Sequence, residues 1–123
     1  MSDHDETQAQ ALLLHLANFY AVLADVCLSL PIPIRLPAIE TSYIHIVDGV
    51  SRAYTLFTDQ PLPEQDQETL TTAALQWLSA SELIVTFEME AARYKVDAAT
   101  MNMISGMQYL DAFREAQEDL NGN

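Results

Sequence analysis

Three histidines, one cysteine and eighteen carboxylates are the side chains of this 123-residue chain best suited to acid–base, nucleophilic or metal chemistry. A di-metal carboxylate site in a helical bundle needs inward-facing glutamates and two Glu-x-x-His repeats. The residues three before His15 and His45 are Leu12 and Ser42, so that motif is absent. His45 and Asp48 are the nearest approach to a ligand pair. With Arg52 they lie off the apolar stripe and read as a solvated face, and His15 reads as an interfacial side chain. Cys27 falls on an apolar stripe, where burial raises a thiol's pKa and makes it inert. A single cysteine also leaves no intramolecular disulfide and no Cys-based zinc site. The three glycines, Gly49, Gly106 and Gly122, build no phosphate-cradling loop. No Gly-x-Ser-x-Gly turn occurs, and Asp59 to Glu68 lacks the pattern of a calcium loop. The sequence therefore points away from an enzyme, with no catalytic residue, cofactor or metal expected.

The carboxylates carry a different message. Against them stand only five basic residues, Arg35, Arg52, Arg93, Lys95 and Arg114, for a formal net charge of −13. Scattered cations are poorly suited to phosphate backbones or anionic membranes, so neither is an expected partner. Helical spacing offers local pairs at Asp48–Arg52, Glu90–Arg93, Asp111–Arg114 and Arg114–Glu118. The other acids form runs: Asp59, Glu64, Asp66 and Glu68 at one junction, Glu82, Glu88 and Glu90 further on, and Asp111, Glu115, Glu118 and Asp119 near the end. The first and last runs are the candidate partner-binding residues. Carboxylates on rigid helices can stand in for nucleic-acid phosphates before a basic protein surface. The competing reading is solubility, with excess acid keeping a very apolar chain from sticking to itself.

Four amphipathic segments must position these groups. In the first, Ala9, Leu12, Leu13, Leu16, Tyr20, Leu23, Cys27 and Leu30 recur at three-four spacing, with Asp3 as a candidate cap. His15, Asn18 and Asp25 interrupt it and argue against a membrane span, and the acidic Met1–Glu6 start argues against a secretory signal. Pro31, Pro33 and Pro37 force an extended connector whose Ile32, Ile34 and Leu36 should lie across the fold. The second stripe is Ile39, Tyr43, Ile46, Val50, Ala53 and Phe57, starting near Pro37. Gly49 inside this segment implies a closely packed neighbouring helix. Pro61 and Pro63 end it.

The third stripe runs Leu70, Ala73, Trp77, Ala80, Ile84, Phe87, Ala91 and Tyr94, and outvotes the β-prone Leu83–Phe87. Asp97 should cap a fourth helix carrying Ala99, Met103, Met107, Leu110 and Phe113, with fraying at Asn121–Asn123. Met101, Met103 and Met107 with Tyr109 are core filler or an adaptable partner surface.

The expected fold is all-α, a single domain over 1–123 built as an antiparallel bundle of four helices. A break at the Ser79-x-x-Glu82 capping box would make five. Helix three, the longest, should leave Leu83, Val85 and Met89 uncovered and pair with a second copy. The expected function is that of a cytoplasmic, non-enzymatic binding protein of phage- or plasmid-inhibitor character, occupying a basic surface of a protein partner. The alternative is a self-associating adaptor, chaperone or immunity protein that binds through an apolar helix face.

Overall fold

A computed structural model describes residues 3–121. The fold is all-α: α1 spans Asp3–Leu28, α2 Tyr43–Leu56, α3 Glu64–Met89 and α4 Arg93–Asn121, with a 3-10 turn at Phe57–Asp59. No strand occurs among the described residues, and Leu83–Phe87 is helical within α3. Helix α3 is unbroken through Ser79, so the capping-box residues there sit in helix interior. The cap expected at Asp3 is not seen, because Asp3 is already helical; of the fraying expected at Asn121–Asn123, Asn121 is still helical, and the other two positions lie outside the described residues.

Most of the periodic stripes became the core, but Leu13, Tyr43 and Ala91 are left exposed. Phe19, Leu23, Cys27, Val50, Phe57, Leu70, Trp77, Ile84, Phe87 and Leu110 are all at most 3% exposed. Each such large side chain contributes roughly 1.5–3 kcal/mol of burial. By length and composition α1 would also suffice to cross a membrane, so His15, Asn18 and Asp25 interrupt it less than expected. In this fold its buried stripe faces α3 and α4.

Hydrogen bonds fix how the helices run. The Trp77 indole N–H donates to the Leu16 carbonyl at 3.3 Å, and the ring lies 5.5 Å from Tyr20. Past α1 the chain turns back along it: the Ile34 N–H donates to the Cys27 carbonyl, and the Tyr20 hydroxyl to that of Pro37. Ile34 and Leu36 are buried on this return path, whereas Ile32 is exposed. Helix α2 therefore starts beside the middle of α1, where the Tyr43 and Ser81 hydroxyls meet at 2.9 Å, and runs in the same direction as α1. At its far end Gln60, 4% exposed, clasps Ile32. Its amide N donates to the Ile32 carbonyl at 2.7 Å and its Oε1 accepts from the Ile32 N–H at 3.0 Å. Gln67 of α3 donates to the Gln60 and Thr58 carbonyls. Helix α3 thus runs opposite to both α1 and α2.

Three expectations need correction. Helix α2 begins at Tyr43 and not near Pro37, because the connector is still running beside α1; Ile39 is left half exposed. The turn between α3 and α4 falls at Glu90–Ala92, earlier than Lys95–Asp97. Lys95 explains it: 8% exposed, its Nζ donates to the Thr86 and Glu90 carbonyls and caps the end of α3 from the next helix. Asp97 is consequently inside α4, paired with Arg93 at 3.7 Å, and Tyr94 faces solvent. Finally, α3 is not the longest helix, since α1 is also 26 residues and α4 is 29; it outruns only α2, which has 14. Leu83 packs against the core and Val85 is half-buried, which removes most of the uncovered strip expected there; Met89 alone is fully exposed.

Candidate protein-binding surface

The groups with catalytic potential are dispersed. The Ser42 hydroxyl caps α2 by accepting from the His45 N–H, and it lies 2.9 Å from His45 Nδ1. Asp48 and Arg52 are exposed beyond it. His15 is exposed on α1, and Cys27 is fully buried, its thiol pushed up to about 12 by burial. Among the described residues no cluster of three His, Cys, Asp or Glu side chains has the arrangement of a metal site.

The carboxylates are gathered by the topology. A three-residue link makes α3 and α4 an antiparallel pair, and their register is set at Gly106. A Cβ there would lie 3.1 Å from Gln76 Cβ and 2.2 Å from the tip of the Phe19 ring. Counting from that crossing at ~1.5 Å per residue, the first turns of α3 face the last turns of α4. Glu64, Asp66 and Glu68 therefore share one end of the fold with Glu115, Glu118 and Asp119. Gln67, bonded to Thr58 and Gln60, brings the exposed Asp59 of the 3-10 turn to the same end. Asp66 is half-buried and the others are exposed. Asp111 lies one turn nearer the middle of α4 than Glu115. Glu82 and Glu90 lie toward the opposite end of α3.

Of the proposed helical ion pairs, Asp48–Arg52, Asp111–Arg114 and Arg114–Glu118 are not closed. Glu90 pairs instead with Lys95 at 4.0 Å.

A groove of about 560 Å³ between α1 and α4 escaped the reading of the sequence. Phe19, Met103, Ile104 and Met107 form its apolar lining, and His15, Asn18, Gln108 and Asp111 its polar rim. The methionines divide: Met103 is core, Met107 half-buried and Met101 70% exposed. The signal was present, because Ile104 and Met101 fall off the inner stripe of α4, but nothing in α1 alone shows which helix stands opposite.

Compared with known proteins, the chain matches no family model, no curated protein and no solved structure.

Proposed function

We propose that this protein is a non-enzymatic, cytoplasmic binding protein whose acidic end engages a basic surface of a protein partner, in the manner of a nucleic-acid mimic or an inhibitor of phage or plasmid type. The scaffold in this reading is an antiparallel bundle of four helices, with α3 opposed to its three neighbours. One observation carries the proposal: the register of α3 on α4 collects two acidic runs, separated by some fifty residues in sequence, at one end of a rigid hairpin. Exposed ion pairs contribute little singly, so recognition rests on the combined field and should weaken steeply with salt. A capture from native lysate at low and high salt tests this, using wild type, Glu64/Asp66/Glu68→Lys and Glu115/Glu118/Asp119→Lys. Loss of the salt-sensitive partner in both variants, with unchanged or raised melting temperature, supports the reading. Retention in both across the salt series refutes it.

The second reading, self-association through an apolar face, is favoured by one feature. Leu13, Leu14 and Leu28 of α1 and Ile44 of α2 are each more than 40% exposed. A light-scattering mass of about twice 13.7 kDa that persists at high salt would support it.

A further inference from the structure

We propose that the α1–α4 groove seats the apolar face of a basic amphipathic helix presented by the protein partner. The inference rests on the preceding reading that the partner's surface is basic, and it adds what that surface must look like.

Shape comes first. The groove borders α4 from Thr100 to Asp111, three turns or roughly 16 Å, which matches three turns of a docked helix. An empty cavity of about 150 Å³ accommodates one benzene ring, so this groove has room for about two or three Leu- or Phe-sized side chains. Such side chains recur at i, i+3 or i+4, and i+7 on an amphipathic helix. The lining suits the task. Methionine is unbranched and polarisable and repacks against different anchors, and Met107 and Ile104 are only partly covered by the fold's own core. Phe19 is held rigidly beneath them, with its ring edge seated on Gly106.

Charge selects the occupant. Asp111 lines the groove itself. Glu115 follows one turn later on α4, and Asp25 stands two turns beyond Asn18 on the same side of α1; both are exposed. The hydrogen bonds of Gln60 to Ile32 bring that end of α1 toward the start of α3, where the acidic runs gather. Arg114 is the basic residue of α4 on this side, against Asp25, Asp111, Glu115 and Glu118, while Arg35 and Arg52 stand beside Asp59 and Ile32 in a separate pocket that shares no residue with the groove. A neutral apolar ligand would leave this field unused, and a second copy of this chain would bring its own charge of −13 against it. A helix with Lys or Arg flanking its apolar stripe satisfies both features.

The probe is a fluorescent Leu/Lys peptide of about five turns with its leucines on one face, compared with a scrambled peptide of identical composition and with a Leu/Gln peptide of the same pattern. Anisotropy should show the patterned Leu/Lys peptide binding at least about tenfold more tightly than either control, a difference of about 1.4 kcal/mol. Ile104→Gln, at a side chain already 55% exposed, and the double variant Ile104→Gln/Met107→Gln should remove most of that advantage with little change in melting temperature. Glu64/Asp66/Glu68→Lys should instead weaken the patterned and scrambled Lys peptides alike. If patterned and scrambled peptides bind equally, or the Ile104 and Met107 variants bind as wild type does, the groove is not the site, and the acidic reading stands on its own. If the Leu/Gln peptide binds as well as the Leu/Lys peptide, charge does not choose the occupant and the proposal fails. If no peptide binds while the lysate capture succeeds, the groove inference alone falls; if both fail, both fall.

Discussion

Phe87 sits 2% exposed on α3 beside the fully buried Ile84, and its truncation leaves a cavity that the neighbouring helices can only partly close. Phe87→Ala should destabilise the protein by about 3–5 kcal/mol, read from denaturant unfolding. Cys27 makes a pH-dependent contribution. Burial moves its thiol from 9.0 to about 12, so between those values the folded chain keeps a proton that the unfolded chain has released. The unfolded state binds fewer protons there, and stability falls as pH rises. This contribution is intact below a pH of about 9 and is lost toward 12, with a slope on the order of 1 kcal/mol per pH unit. Tyr20, raised by its own burial and then by the Cys27 charge, adds a slope of the same sign. Denaturation at stepped alkaline pH should show the decline, and Cys27→Ala should flatten it. The folded thiol should also resist aromatic disulfide reagents at neutral pH until denaturant is added.

At the scale of elements, Gly106 is where three helices meet. Alanine there would gain roughly 1 kcal/mol of helix propensity, yet its Cβ would fall 2.2 Å from the Phe19 ring. Gly106→Ala should therefore lower the melting temperature, against the propensity trend. Gly49 makes the same kind of close approach, but to the Pro37 ring of the connector and not to a helix, as its position in the second segment had implied. These contacts mark what periodicity could reveal. The stripes Leu12 to Cys27 and Leu70 to Phe87 were legible because each buried face is continuous over many turns. The start of α2 was not, because Ile39 keeps the three-four spacing while the backbone makes a separate turn, closed by the Thr41 N–H on the Ala38 carbonyl, before the helix begins. The α3–α4 turn was not either. Glu90–Ala92 holds neither glycine nor proline, and its stop signal is the Lys95 ammonium, supplied from the far side of the turn.

For the whole molecule, a charge of −13 means that salt should stabilise the fold by screening its own repulsion. Raising ionic strength from ~20 to ~200 mM shortens the screening length more than twofold, and the melting temperature should climb by a few degrees. A fall instead would show that closed ion pairs, and not repulsion, dominate. The acidic runs were visible in the sequence as composition. Their meeting at one end was not, because it depends on the Gly106–Gln76 register, and the groove depends on α1 and α4 standing side by side, which no local pattern encodes.

The bond from the Trp77 indole to the Leu16 carbonyl closes a loop of 61 residues. During synthesis at about 5–20 residues per second, the apolar face of α1 leaves the ribosome and waits roughly 3–12 s before Trp77 exists to cover it, and longer for Gly106. The α3–α4 hairpin, by contrast, closes over three residues as soon as α4 emerges. Helix α1 is thus the part of the nascent chain most in need of a molecular chaperone. A truncated chain lacking α4 would keep that need permanently, and aggregation is its natural fate.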